Sequence, residues 1–160
     1  MIRLAKLTDY GLVLMTLIAR NTITPVHTAR DLAAESKLPL PTVSKLLKQL
    51  LQSGLLTSHR GSNGGYGLAK EVTDISVAEI ITAIEGTIAL TECSTDLTGV
   101  CDLERSCPIK SNQRVISQVV RGALDKVTLW DLVHPLQLTA IKDAQGKLVQ
   151  TISYSSGSVQ

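Results

Sequence analysis

Apolar positions recur with helical spacing through the first fifty residues, then break into short runs divided by glycine. Thr8-Asp9 reads as a helix start, and Leu12, Val13, Leu14, Met15, Leu17 and Ile18 predict a helix to about Arg20. It is apolar almost all round and is therefore expected to be buried. Thr28 predicts the cap of a second helix over Ala29–Glu35, with Leu32 and Ala33 turned inward. Ser36-Lys37-Leu38-Pro39 reads as a tight connection. Pro41 suits the first position of a third helix, which Gly54 closes. That helix has two sides. Val43, Leu46, Leu47, Leu50 and Leu51 form a core stripe, while Thr42, Ser44, Lys45, Lys48 and Gln49 fall largely off it.

Farther along, two short strands on either side of Gly61-Ser62-Asn63-Gly64-Gly65 predict a hairpin. Ser76-x-x-Glu79 is a capping box opening a helix over Val77–Glu85, with Gly86 behind it. After a loop, Pro108 starts a long helix at about Ile109–Lys126. Ile109, Ile116, Val119, Val120, Ala123, Leu124 and Val127 draw an apolar seam along it, and Thr128–Leu132 adds a last helical turn. Residues after His134 read as a polar, weakly ordered tail. The expected fold is mainly α. It divides into a winged helix–turn–helix domain (1–70), a connecting helix and cysteine-bearing loop (71–107), a dimerisation helix with its terminal turn (108–134) and the tail (135–160).

Composition supports a globular chain: 44% of residues are hydrophobic and 19% charged, and with no Phe the core must be aliphatic. Net charge is only +2, but unevenly spread. Residues 1–70 hold nine Lys/Arg against three Asp/Glu, a balance of +6; residues 71–160 hold seven against eleven, a balance of −4. Such asymmetry points to a polyanion facing the first half. The apolar run Leu12–Ala19 follows an Asp, lacks a small-residue cleavage site and is too short to span a bilayer, so a cytoplasmic, non-membrane protein is expected.

Two helices joined by a short turn, the second with small polar and basic residues near its start, form the helix–turn–helix arrangement whose second helix enters the major groove. The glycine-tipped hairpin behind it reads as a wing. Thr42 and Ser44 then sit where base edges are read, and Lys45 and Lys48 where phosphates pass. Arg60 stands at the base of the wing tip, within reach of a minor groove, and the exposed amides around Gly64 are placed to meet phosphate. A nucleotide-binding loop is excluded: G-x-x-x-x-G-K-S/T is absent, and the segment does not lead from a strand into a helix. A catalytic reading also fails, because His27, His59 and His134 lie in unrelated segments and no nucleophile–base arrangement accompanies them.

The three cysteines, Cys93, Cys101 and Cys107, fall in one loop with seven and five residues between them. In a reducing compartment clustered thiols favour metal binding or redox sensing over cross-links. Zinc sites usually use C-x2-C pairs, and wider spacing suits an iron–sulfur cluster. Spacing leaves open a cluster, a zinc site, a Cys101–Cys107 redox switch or three unconnected thiols.

Several stretches, in this order, resemble the IscR/NsrR-type family of winged-helix iron–sulfur transcription regulators over residues 1–133. They are Leu7-Thr8-Asp9-Tyr10-Gly11, Arg60-Gly61-Ser62-Asn63-Gly64-Gly65-Tyr66, Ile75-Ser76-Val77-Ala78-Glu79-Ile80-Ile81, Glu85-Gly86, the three-cysteine loop and Val127-Thr128-Leu129. The C-x7-C-x5-C loop is most similar to regulators of the SUF cluster-assembly system. The resemblance implies a homodimer on operator DNA, with one cluster, [2Fe–2S] or [4Fe–4S], on Cys93, Cys101 and Cys107 of each subunit. In IscR a histidine lies three residues after the last cysteine; here Lys110 stands there, and an ammonium cannot ligate. In NsrR-like members the fourth ligand is an aspartate near the N-terminus of the other subunit, and Asp9 matches it. Its rivals are Glu92, Asp102 and a small exogenous thiol. The function so implied is a repressor that senses cluster status and controls SUF-type genes. A nitric-oxide- or redox-sensing repressor, and a cluster carrier without a DNA role, are the alternatives.

Overall fold

The computed structural model describes residues 4–21, 25–61, 64–91, 94, 101, 106–134, 136–145 and 147–154. Helices dominate, accompanied by two small antiparallel sheets. In chain order these are α1 (Lys6–Arg20), α2 (Ala29–Ser36), α3 (Leu40–Gln52), β1 (Leu56–His59), β2 (Gly65–Leu68), a 3-10 turn (Val72–Asp74), α4 (Val77–Glu85), α5 (Lys110–Asp125), α6 (Leu129–Val133), β3 (Leu136–Lys142) and β4 (Leu148–Tyr154).

One aliphatic core joins the two halves of the chain. Leu14, Met15 and Ile18 of α1, Leu32 of α2 and Val43, Leu46, Leu47 and Leu50 of α3 meet Ile75, Ile80 and Leu129 from the second half. Burying each such side chain contributes about 1.5–3 kcal/mol, so the three-helix unit depends on α4 and α6 to close it. Leu12 and Leu17 are only partly buried and Val13 is exposed, so α1 is less completely enclosed than its sequence implies. Gly11 faces Ile84 so closely that a Cβ there would displace it, which lets α1 and α4 approach.

The expected caps are present on two helices. Thr28 accepts from Asp31 N–H at 3.2 Å, and Ser76 and Glu79 form the reciprocal capping box of α4. α1 differs. It starts at Lys6 rather than at Thr8-Asp9, and Glu85 from the end of α4 serves its free amides, accepting from Ala5 N–H at 2.9 Å and from the Thr8 hydroxyl. Asp9 lies exposed in the first turn of α1, where a negative charge favours the helix dipole without capping it.

The region beyond His134 also differs from expectation. β3 and β4 pair over seven residues each, from Leu136↔Tyr154 to Lys142↔Leu148, around a turn in which Asp143 accepts from Gln145 and Lys147 N–H. Alternating Leu136, Leu138 and Ala140 supply the strand pattern that a composition-based reading as a weakly ordered tail passes over. No helix among the described residues is long and apolar enough to cross a membrane.

Lys70 Nζ lies 2.8 Å from Glu79 Oε1, and this ammonium holds the Glu79 carboxyl below its ordinary value near 4.5. A depressed folded-state value means that the pair stabilises the fold above that ordinary value, and that the contribution fades as pH falls through the lowered one. Glu79→Gln should therefore melt below the parent at neutral pH, with the gap closing below about pH 4.5. Melting curves recorded across that range test it; a gap that persists undiminished in acid rejects the assignment.

Candidate nucleic-acid interface and thiol loop

α3 presents the two sides its periodicity predicts. Val43, Leu46, Leu47 and Leu50 are fully buried, while Ser44, Lys45 and Lys48 are exposed and Thr42 is half-buried at the first turn. The approach to α3 is set by Lys37, which takes the left-handed conformation at φ 57° to end α2. The Ser36 hydroxyl, donating to Leu32 O at 2.6 Å, secures the same turn. No carboxylate among the described residues pairs with Lys45, Lys48 or Arg60. Their charge is available to a polyanion rather than neutralised within the chain.

The wing has a third element that sequence reading misses. β1 and β2 pair in register from Leu56↔Leu68 to His59↔Gly65. β2 also bridges to His27: His27 N–H donates to Tyr66 O at 2.9 Å and Tyr66 N–H to His27 O at 2.8 Å. Close approach makes the glycines necessary. A Cβ at Gly67 would lie 2.7 Å from Pro25 O, and one at Gly65 would run into His27 O. Sequence alone showed His27 only as an isolated histidine; the signal for its place was the x-G-x-G alternation of β2.

At the tip, Gly61 has φ +115° and Gly64 N–H donates to Gly61 O at 3.0 Å. That amide is spent within the turn. Gly64 thus supplies space, since a Cβ would strike His59 O, and the expectation of a phosphate-binding amide at this position is corrected. Arg60 stands exposed beside the tip.

Of the thiol ligands, Cys93 lies outside the described residues, as do Glu92 and Asp102. Cys101 and Cys107 are free and half-buried. Among the described residues no three His, Cys, Asp or Glu side chains converge on a metal position. The donor chemistry nevertheless suits a cluster: two uncombined thiols in one loop with a third cysteine. Asp9 is exposed and makes no ion pair with any described residue.

The loop is tied to α5 at both ends. At its entry Leu90 N–H donates to Ser117 Oγ at 3.2 Å, and the hydroxyls of Thr91 and Ser94 lie 2.7 Å apart. At its exit Lys110 N–H reaches Cys107 O at 3.5 Å. α5 itself buries only Ser117, leaving Val115 57% and Val119 66% exposed, with Ile109 and Ile116 exposed beside them.

Comparison with known proteins finds relatives that cover most of the chain. A family model described as "Rrf2: Iron-dependent Transcriptional regulator" matches residues 4–135. The "HTH-type transcriptional regulator IscR" of Klebsiella pneumoniae (strain 342) is 28% identical over 143 residues, which are 89% of this chain and 86% of that protein. Its counterpart in Escherichia coli O9:H4 (strain HS) is 27% identical over 143 residues, 89% of this chain and 87% of that one. Among solved structures, CymR, "the Global Cysteine Regulator of B. subtilis", has a TM-score of 0.65 at 27% identity, covering 83% of this chain and 97% of that one. IscR of T. potens has a TM-score of 0.63 at 26% identity, covering 82% and 86%.

Because Gly65 N–H and carbonyl belong to β2 while its missing Cβ leaves room for His27 O, Gly65→Ala should loosen the wing from its third strand. The expected loss is about 1–3 kcal/mol of unfolding free energy. Urea denaturation measures it; a midpoint equal to that of the parent would show the contact to be slack.

Proposed function

The chain belongs to the Rrf2 family of transcriptional regulators, and on that premise we propose that it is a homodimeric repressor that senses iron–sulfur status through a bound cluster and controls SUF-type assembly genes. A winged-helix DNA-binding regulator, not an enzyme, is what its relatives are. The sensing role rests above all on one observation: free, half-buried Cys101 and Cys107 lie in a loop whose exit leads directly into α5.

Cys93, Cys101 and Cys107 hold the cluster in this reading, and the carboxylate of Asp9 completes the set from the second subunit. Exposure of Asp9, without an internal partner among the described residues, suits a ligand offered to another chain. A bound cluster would supply a redox- and supply-sensitive crosslink between those ligands. Thiolates ordered in this way fix the Cys107–Ile109 turn and with it the direction of α5. The exposed Val115, Ile116 and Val119 stripe then packs on its twin, and α5 sets the spacing between the two recognition helices. Such a ligand acts only through its differential affinity for the two arrangements. The two free thiols also support a second reading in which Cys101 and Cys107 act as a redox pair without metal.

In the DNA complex Thr42 and Ser44 meet base edges, while Lys45, Lys48 and Arg60 contact phosphate. Lys48→Ala should weaken binding to every sequence alike and lower the slope of log K against log salt by about 0.9. Binding titrations at several salt concentrations measure this, and an unchanged slope would remove Lys48 from the phosphate contacts.

Cluster dependence has its own test. Anaerobically purified protein should carry iron and sulfide with a Mössbauer signature, and Cys107→Ser should lose most of both. Operator affinity should change by about tenfold or more, equivalent to ~1.4 kcal/mol, when the cluster is stripped. Iron-free protein whose operator affinity follows thiol oxidation alone would favour the redox pair, and indifference to both treatments would sink the sensor.

A further inference from the structure

On α5, the side away from the Val115–Val119 stripe borders a cavity of about 340 Å³. Its lining includes Arg114, Ser117, Gln118 and Arg121 from α5, with Thr87 and Ser94 from the segment that leads into the thiol loop. Such a volume lies within the range of small-molecule pockets. Among the described residues no acidic one lines it, and two guanidinium groups two helical turns apart do.

Ser117 gives the cavity its polar floor. This residue is 4% exposed, and its Oγ accepts from Leu90 N–H at 3.2 Å. No group among the described residues accepts the hydroxyl hydrogen of Ser117, which leaves one buried donor unspent. Arg121 leans only loosely toward Asp125, at 3.8 Å with both side chains about half exposed. Such a surface pair contributes little and leaves the guanidinium free to turn to another anion.

We propose that this cavity is a binding site for a small oxyanion, a phosphate or carboxylate group, held by Arg114, Arg121 and the Ser117 hydroxyl and closed by Ser94 and Thr87. Guanidinium forks pair with both groups through charge-assisted hydrogen bonds, and buried hydroxyls complete the shell. Bound there, the anion bridges α5 to the loop entry, so it stabilises one position of that segment relative to the helix. The site requires neither a cluster nor DNA, so it stands or falls separately from the sensing role.

Isothermal titration of the full-length protein with sodium phosphate, sodium acetate and sodium chloride at matched ionic strength tests this. Saturable binding of phosphate or acetate at one per chain, absent for chloride, is the expected result, and the anion that saturates identifies the group. Arg114→Gln and Arg121→Gln should each weaken it about tenfold or more, with Lys126→Gln on the opposite side unchanged. Should an arginine variant misfold, Ser94→Ala, which keeps the charge, should weaken binding several-fold. Heats that never saturate, or that saturate equally in the parent and both arginine variants, overturn the proposal.

Discussion

Two backbone hydrogen bonds hold the molecule to its plan: Val77 N–H to Val127 O at 2.8 Å and Leu129 N–H to Ile75 O at 2.7 Å. Around the isolated bridge Ser76↔Thr128 they close a loop of about fifty residues containing α4, the thiol segment and α5. Closing so long a loop costs conformational entropy that grows only slowly with length. Burying Ile75 and Leu129 together in the aliphatic core helps offset it. Without this clamp α5 would be an appendage. With it, the last turn of α5 is fixed beside the start of α4, and α4 is packed on α1 and α3.

The consequence is mechanical. The C-terminal end of α5 is anchored to the winged domain, whereas its N-terminal end emerges from the thiol loop through Pro108. On the proposed sensing role, changes in that loop would act on the N-terminal end of a lever pivoting at Val127 and Thr128. A capping box at Thr128, where Asp131 accepts from Thr128 N–H at 2.7 Å, stiffens the pivot. The asymmetry of charge matches this division of labour. The +6 half carries α3 and the wing, and the −4 half carries α5 and the thiol loop.

What could be read in the chain was local in origin. Leu46, Leu47 and Leu50 betray α3 because a helix repeats every few residues, and Ser76-x-x-Glu79 betrays α4 because a capping box spans one turn. The misses involve partners distant in sequence. Glu85 serves the N-terminus of α1 from 80 residues away, so Thr8-Asp9 looked like the cap. His27 pairs with Tyr66 across most of the winged domain, and only the glycines flanking Tyr66 hint at the close approach. The thiols are an intermediate case: their chemistry was legible as residue type, but the convergence of ligands is a three-dimensional property.

The same distinction bears on why α5 has so polar a face and so apolar a stripe. Taking position 117 as the inward direction, Arg114 and Arg121 lie on the turns before and after it, and Val115 and Val119 point the other way. A helix packed only on its own chain would turn its valines inward, yet Ser117 is the residue buried. Fully burying each valine contributes about 1.5–3 kcal/mol, far more than the exposed state returns. Retaining them outside while a serine faces inward is therefore costly in an isolated subunit and favourable in a pair. The inward serine and the outward valines are one arrangement: in the homodimer proposed above, the helix would give its apolar stripe to a second copy, while Ser117 bonds to the entry of the thiol loop.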